Sequence, residues 1–136
     1  MIELRIPARL IFRDLVLRSV ATGCKAVILT GGDPPSREAV DAAVSMVGEA
    51  FNNVVEHAYA GQAGEVTIVV TPVAGGVEVE LTDHGAPFDF AAVPPPDMAA
   101  LPESGMGVFI IRSFADDVSY VAGPPNVLWM RKDLTG

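Results

Sequence analysis

The sequence predicts an α+β fold, a two-layer sandwich in which a mixed, mostly antiparallel sheet carries helices on one face. The length of 136 residues suits one domain, and 50% hydrophobic residues suffice for a sizeable core. Segments with strand patterns come in pairs joined by short turns, which favours antiparallel hairpins over parallel β-α-β units. We therefore expect a single domain that spans residues 1–136.

The expected elements follow the order β-α-α-β-β-loop-α-β-β. Alternating apolar residues over 2–6 predict a first strand that ends at Pro7. The pattern over 8–21 predicts a helix that Thr22 and Gly23 end, and segment 26–29 is ambiguous. The remaining expected elements are a long helix over 36–59, strands over 65–71 and 77–82, a loop rich in proline and alanine over 91–102, a helix over 104–115, and strands over 117–121 and 127–131.

The long helix has one apolar face and one polar stripe. Ser36 is expected to cap its N-terminus, with Glu38 in the first turn. A solvated surface is the ordinary explanation of a polar stripe. This stripe, however, contains no Lys or Arg and has two adjacent Asn, which are poor helix formers, so we expect it to be functional. The expected core face comprises Val40, Val44, Val47, Phe51, Val54, Val55 and Ala58, and the stripe comprises Ser45, Glu49, Asn52, Asn53, Glu56 and His57.

Charge and composition exclude several classes of protein. The net charge of −8 argues against nucleic-acid binding, which relies on Lys and Arg. No uncharged apolar run approaches the roughly 18 residues of a membrane span, and the N-terminus lacks a signal-peptide pattern, so we expect a cytoplasmic protein without membrane contact. The single cysteine, Cys24, fits a reducing compartment and is expected to be a buried residue rather than a nucleophile. From Glu38 to Ile111 there are 11 acidic residues and no Lys or Arg, so a phosphate bound there would need a divalent metal, backbone amides or helix N-termini.

Three short motifs could carry chemistry. Glu49 and Asn53 stand four residues apart on the polar stripe, so they share one helix face and could share a metal ion, with the Glu as a base. Asp83 begins the run D-H-G-A-P-F-D at the end of a strand, where its carboxylate can accept a hydrogen bond from a base edge. Gly105 and Gly107 open a helix whose amides can bind phosphate. Each motif by itself is weak, because each also occurs by chance in helices and turns.

The order and spacing of the three motifs together resemble the N, G1 and G2 boxes of the Bergerat (GHKL, HATPase_c) ATP-binding fold. The segments N-N-V-V-E-H-A-Y and S-G-M-G-V-F-I-I-R-S-F-A-D-D-V are most similar to the bacterial anti-sigma-factor serine/threonine-protein kinases of that superfamily. The resemblance covers residues 2–132. It implies a protein that binds ATP and Mg²⁺ and transfers the γ-phosphoryl group to a serine.

The resemblance implies a role for each matching position. Glu49 would be the general base that takes the proton of the attacking hydroxyl, and Asn53 would bind Mg²⁺. Asp83 would accept a hydrogen bond from the adenine amino group, and Gly85 would leave room for the ring. Residues 88–104 would form a lid over the nucleotide. The remaining nucleotide-binding positions would be His57, Pro87, Phe88, Ser104, Gly105, Met106 and Gly107.

The resemblance also implies partners. The kinase would phosphorylate a small anti-anti-sigma (STAS-type) protein, sequester a sigma factor and act as a homodimer. Independently of the resemblance, Arg9, Arg13 and Arg18 in the first helix could meet an acidic surface of a partner.

The sequence departs from the family's pattern in the lid and before the last strand. The implied lid has no Lys or Arg, and we expect its prolines at 94–96 to make it stiffer than a glycine-rich lid. G-P-P-N at 123–126 replaces the family's Gly-Thr, so Asn126 or Thr82 would have to supply the polar group beside Asp83. Two alternatives to the kinase stay open: a nucleotide-dependent protein-binding regulator with little or no kinase activity, and a histidine-kinase catalytic domain that acts on a separate phosphoacceptor domain.

Overall fold

Five strands form one antiparallel sheet. The structure, a computed structural model, describes residues 1–88 and 106–135, and the expected loop over 91–102 lies outside them. The strands are β1 (Ile2–Pro7), β2 (Glu65–Val73), β3 (Gly76–Asp83), β4 (Asp117–Val121) and β5 (Asn126–Asp133). Their order is β1-β2-β3-β5-β4, and every described pairing is antiparallel. The predicted α+β sandwich is confirmed.

Three α-helices cover one face of this sheet: α1 (Arg13–Lys25), α2 (Arg37–Asn53) and α3 (Met106–Phe114). Short 3₁₀ turns flank α1, at Leu10–Phe12 and at Ala26–Thr30, and the second of them contains the ambiguous segment 26–29. The helical pattern therefore exists where the periodicity predicts it.

The first helix differs from the prediction at both ends. It begins at Arg13 and continues to Lys25, so the prediction that Thr22 and Gly23 end it is wrong. The Thr22 hydroxyl instead donates to the carbonyl four residues earlier, at 2.9 Å, within the helix. Gly23 is buried, and a Cβ atom there would overlap the side chain of Val70 in β2. The glycine thus allows α1 to pack closely on the sheet.

The second helix confirms its predicted cap and part of its predicted core face. Val40, Val44 and Ala58 are only half-buried, whereas Met46 and Ala50, which the prediction left out, are buried. The Ser36 side chain accepts a hydrogen bond from the backbone N–H of Ala39 at 3.1 Å. Val47 and Phe51 are fully buried, and Val54 and Val55 are almost so. Because this face is anchored in the core, the polar stripe on the other side is held in a defined orientation.

The core lies between the helices and the inner face of the sheet. In β2, buried Val66, Ile68 and Val70 alternate with more exposed residues, as expected of a strand with one covered face. Three strands extend one or two residues beyond their predicted bounds, and as a result Asp83 and Asn126 become direct partners at one end of the β3–β5 ladder.

Cys24 belongs to this core. It has 0% exposure, as predicted, and burial raises the pKa of its thiol from 9.0 to about 11. None of the described helices combines the length and the apolar character that crossing a lipid bilayer requires.

Candidate functional site

The first turn of α3 packs directly on the polar stripe of α2. A Cβ atom at Gly107 would lie 3.2 Å from Asn53 Oδ1, 3.2 Å from Glu49 Oε2 and 3.4 Å from Asn53 Nδ2. The absence of a side chain at Gly107 therefore permits this contact. Among the described residues α3 begins at Met106, so the backbone amides of its first turn and the positive end of its dipole lie beside the Glu49–Asn53 pair.

Glu49 and Asn53 offer a small set of oxygen ligands. Both residues are partly exposed, and within the described part of the chain neither side chain makes a hydrogen bond. No group of three or more His, Cys, Asp or Glu that could hold a metal ion occurs among the described residues. One carboxylate and one amide oxygen fit Mg²⁺, which usually takes only one or two protein ligands and completes its shell with water and phosphate oxygens.

Asp83 provides a buried carboxylate at the end of β3. Its exposure is 5%, and its Oδ1 accepts hydrogen bonds from the Gly85 N–H and from Asn126 Nδ2, both at 2.9 Å. Among the described residues no hydrogen bond to its Oδ2 occurs. One oxygen of this carboxylate therefore remains available to a ligand.

The loop after Asp83 is bound to the end of α2. The helix continues beyond Asn53 as one π-helical turn, Val54–Ala58, and the N–H of Ala86 donates to the carbonyl of Ala58 at 2.8 Å. A Cβ atom at Gly85 would overlap that same carbonyl, so only glycine allows this approach. π-Helical turns of this kind often mark functional positions in helices.

Tyr59 ties the same region to the sheet. Its hydroxyl donates to the carbonyl of Glu65 at 2.7 Å and accepts from the N–H of His84 at 2.9 Å. These two bonds join the end of α2 to the start of β2 and to the loop after β3. The site is therefore supported on three elements.

An apolar pocket lies between α2 and the sheet, with Asp83 in its wall. Tyr120 of β4 contributes a hydroxyl that accepts from the N–H of Phe88 at 3.0 Å. Burial and the negative charge of Asp83 raise the pKa of Tyr120, although the Phe88 N–H opposes this, so the phenol stays protonated at neutral pH. The pocket is lined by Ala50, Asn53, Val54, Ala58, Leu81, Asp83, Phe88, Tyr120 and Leu128.

Two aromatic rings lie at the side of this pocket. The exposed ring of His57 stacks on Phe88, with ring centroids 6.3 Å apart and an interplanar angle of 17°. Pro87 is exposed and is not part of the pocket wall. A planar ligand in the pocket would therefore meet the ring of Phe88.

The structure brings together most of the residues that the sequence singles out. Ser104 and Gly105 lie outside the described residues, as does the expected lid after Phe88, and Met106 is the first residue of α3. The sequence missed Tyr120 as a wall residue, although its inward position in an alternating strand could have indicated it.

The arginines of the first helix have different surroundings. Arg13 Nε donates to Asn52 Oδ1 at 3.0 Å, and its guanidinium packs against Gly48. Arg18 pairs with Asp14 at 2.9 Å on the exposed surface. Arg13 thus brings a positive charge to the polar stripe of α2, from outside the segment that lacks Lys and Arg.

Comparison with known proteins agrees with this geometry. The sequence profile of the family described as "Histidine kinase-like ATPase domain" matches residues 16–132. A serine-protein kinase named RsbW from Bacillus cereus (strain AH187) is 31% identical over 139 positions, which cover 96% of this chain and 83% of that protein. A second RsbW, from Bacillus cereus (strain G9842), is 33% identical over 94 positions, which cover 63% of this chain and 59% of that protein's length.

Solved structures show the same fold. The histidine kinase domain of the Erythrobacter litoralis EL346 blue-light activated histidine kinase has a TM-score of 0.56 at 16% identity. This match covers 90% of the present chain and 61% of the other. The family profile and the RsbW relatives confirm the resemblance predicted from the motifs: the chain belongs to the histidine kinase-like ATPase domain family, within the GHKL group that contains the anti-sigma-factor serine kinases.

Proposed function

We propose that the protein is an ATP-dependent serine protein kinase and anti-sigma factor. It phosphorylates a small anti-anti-sigma partner of the STAS type and sequesters a sigma factor. Membership in an ATPase family supports ATP as the phosphoryl donor, and relatives named serine-protein kinase support a serine acceptor. The observation that carries the proposal is the close packing of Gly107 on Glu49 and Asn53, so close that an added Cβ atom would lie 3.2 Å from an oxygen of each. This packing joins a base, a neutral oxygen ligand and the amides of a helix N-terminus.

In this proposal the adenine occupies the apolar pocket. Its amino group donates to Asp83 Oδ2, and the closeness of Gly85 to α2 leaves space for the ring edge. We assign His57, Pro87 and Phe88 to the same site, because Phe88 lines the pocket, stacks on His57 and follows Pro87 in the chain. The phosphates extend toward α3 and accept from the amides of the segment that contains Ser104, Gly105, Met106 and Gly107.

Phosphoryl transfer requires mainly positioning and neutralisation of charge. Glu49 takes the proton of the partner's serine hydroxyl while the serine oxygen forms a bond to the γ-phosphorus. The bond between that phosphorus and the bridging oxygen breaks, and ADP leaves. Asn53 would hold Mg²⁺ through Oδ1, and the ion would supply positive charge to the phosphates in a segment without Lys or Arg.

Calorimetric titration with ATP, with and without Mg²⁺, tests the nucleotide site. We expect wild type to bind ATP more tightly with Mg²⁺ and the variant Asn53→Ala to lose this dependence. A wild-type protein that binds no ATP would refute the proposed function. An Asn53→Ala variant with the full Mg²⁺ dependence would refute the metal role of Asn53.

Transfer to a candidate anti-anti-sigma protein tests the catalytic role. Glu49→Gln should keep ATP binding and lower phosphoryl transfer by about 100- to 10,000-fold, since the amide cannot accept the proton. Glu56→Gln is the matched control, because Glu56 is exposed, lies about two turns further along the same polar stripe and does not line the pocket. Equal loss in both variants, or in neither, would contradict the role of Glu49.

The same assay separates the two alternatives. Acid-stable phosphate on the partner supports a serine kinase, whereas acid-labile phosphate would indicate a histidine acceptor. Nucleotide-dependent binding of the partner without any transfer would identify a binding regulator instead. The proposed homodimer, which rests on the family resemblance, is checked by sedimentation velocity at micromolar concentrations.

A further inference from the structure

Asn126 places a fully buried amide beside the carboxylate of Asp83. Its exposure is 0%, and it is the cross-strand partner of Asp83 where β3 ends and β5 begins. A buried amide is costly unless its hydrogen bonds are made. The bonds of Asn126 therefore indicate what its side chain does.

Three protein groups hold the amide of Asn126. Nδ2 donates to Asp83 Oδ1 and to the carbonyl of Gly85, each at 2.9 Å. Oδ1 accepts from the N–H of Gly123 at 2.8 Å. An amide turned by 180° would place its oxygen against two acceptors, so these neighbours determine its orientation. Both amide hydrogens are used, and Asn126 is fully buried and is not among the described residues that line the pocket, so it does not contact a ligand there.

These bonds restrict the carboxylate of Asp83. Its Oδ1 receives two donors, from Asn126 and from the Gly85 N–H, which fixes the rotation of the carboxylate. Oδ2 is left to the pocket that Asp83 lines. An ionised carboxylate oxygen only accepts, so it favours a ligand edge that carries a donor and opposes one that carries a carbonyl.

Thr82 does not share this position. Successive side chains of a strand point to opposite faces, and Thr82 pairs with Thr67 and Val127 on the face away from Asp83. Of the two residues that could supply a polar group beside Asp83, Asn126 is the one in contact with it.

We infer that Asn126 is a positioning residue for base selection: it holds Asp83 so that Oδ2 faces an exocyclic amino group, without itself contacting the base. The inference rests on the proposed nucleotide site. The two residues then have different roles. Asp83 contacts the base, and Asn126 only orients Asp83.

Calorimetric titration of ATP and ITP tests the inference, because ITP carries a carbonyl oxygen where ATP carries the amino group. We expect wild type to prefer ATP by about 100-fold or more. Asn126→Ser and Asn126→Asp should each lower this preference by about tenfold or more, because the carboxylate loses its fixed rotation. Asp83→Asn gives the preference that remains when the carboxylate is absent.

The ratio of the affinities for ATP and ITP distinguishes positioning from a merely structural role. A structural role predicts that both nucleotides bind more weakly by the same factor, and an unchanged ratio in folded variants would overturn the inference. Asn126→Ser is included because it adds no buried charge, so it keeps the test open if Asn126→Asp does not fold. Asn52→Asp is the matched control, since the Asn52 amide accepts from Arg13 and should leave the ratio as in wild type.

The same titrations test the nucleotide site and the role of Asn126 separately. A wild-type protein that binds neither nucleotide refutes the nucleotide site and with it the inference. A wild-type preference for ATP that Asn126→Ser retains in full refutes only the role of Asn126.

Discussion

Replacing Gly107 by alanine should weaken Mg²⁺-dependent ATP binding without destabilising the fold. The added Cβ would lie 3.2 Å from Glu49 Oε2 and from Asn53 Oδ1, so both side chains must move by a few tenths of an ångström. Their helix cannot retreat, because its other face includes the fully buried Met46 and Phe51. The displacement therefore falls on the two candidate functional groups.

Gly107→Ala should change ATP affinity and thermal stability in opposite directions. A misplacement of about 1 Å can cost roughly 100-fold in function, so a few tenths should weaken binding by about three- to tenfold. Alanine in a helix is favoured over glycine by up to about 1 kcal/mol, less near the first turn where Gly107 lies. The variant should thus melt at the same or a slightly higher temperature than wild type while it binds ATP less tightly.

Calorimetry and thermal melting on the same samples check this prediction. Gly32→Ala is the control, because no atom lies within 4 Å of a Cβ at Gly32 and its φ is not in the left-handed region. We expect wild-type binding in Gly32→Ala. Unchanged ATP affinity in a folded Gly107→Ala variant would show that the ligand does not use the Glu49–Asn53 pair, and the reasoning would be refuted.

Three further predictions concern the loop, a helix cap and the thiol. Gly85→Ala should destabilise the fold by about 1–3 kcal/mol and abolish ATP binding, because its Cβ overlaps the Ala58 carbonyl; a stable variant with intact binding would contradict this. Ser36→Ala should lower the free energy of unfolding by about 1 kcal/mol in urea titrations, since the Ala39 N–H loses its acceptor, and an unchanged midpoint would count against the cap. Cys24 should resist iodoacetamide at pH 8 until the protein unfolds, because a pKa of about 11 instead of 9.0 leaves about 100-fold less thiolate, and rapid labelling of native protein would contradict its burial. The raised pKa also stabilises the native state below pH 9.0, and this contribution is lost as the pH rises toward about 11.

Local patterns were sufficient for most of the fold. Alternating residues in β2 and the apolar face of α2 repeat over many positions, so burial on one side could be predicted from spacing alone. Gly23 shows where such reasoning fails. A glycine that follows a helical pattern usually indicates an end, yet here it permits contact with Val70, which is far away in sequence. The end of a helix depends on what packs against it as well as on its own residues.

Parts of the candidate site could also be predicted. Glu49 and Asn53 lie on one helix face by their spacing, and Asp83 and Gly85 stand together in one loop. Tyr120, in contrast, could be predicted to face inward from the alternation in β4, but not to line this pocket. Its place there depends on the pairing of β4 with β5, which brings its hydroxyl to the N–H of Phe88.

The sequence by itself determined the class of fold, the polar stripe of α2 and the identity of the family, because these depend on periodicity and on short motifs in a fixed order. Only the tertiary structure decided that Gly107 lies against Glu49 and Asn53, and that Asn126 rather than Thr82 contacts Asp83. The reason is register. Asp83 and Asn126 are 43 residues apart, and a shift of one residue between β3 and β5 would turn one of them to the opposite face of the sheet. That register follows from the packing of the whole sheet on its helices, and no local pattern contains it.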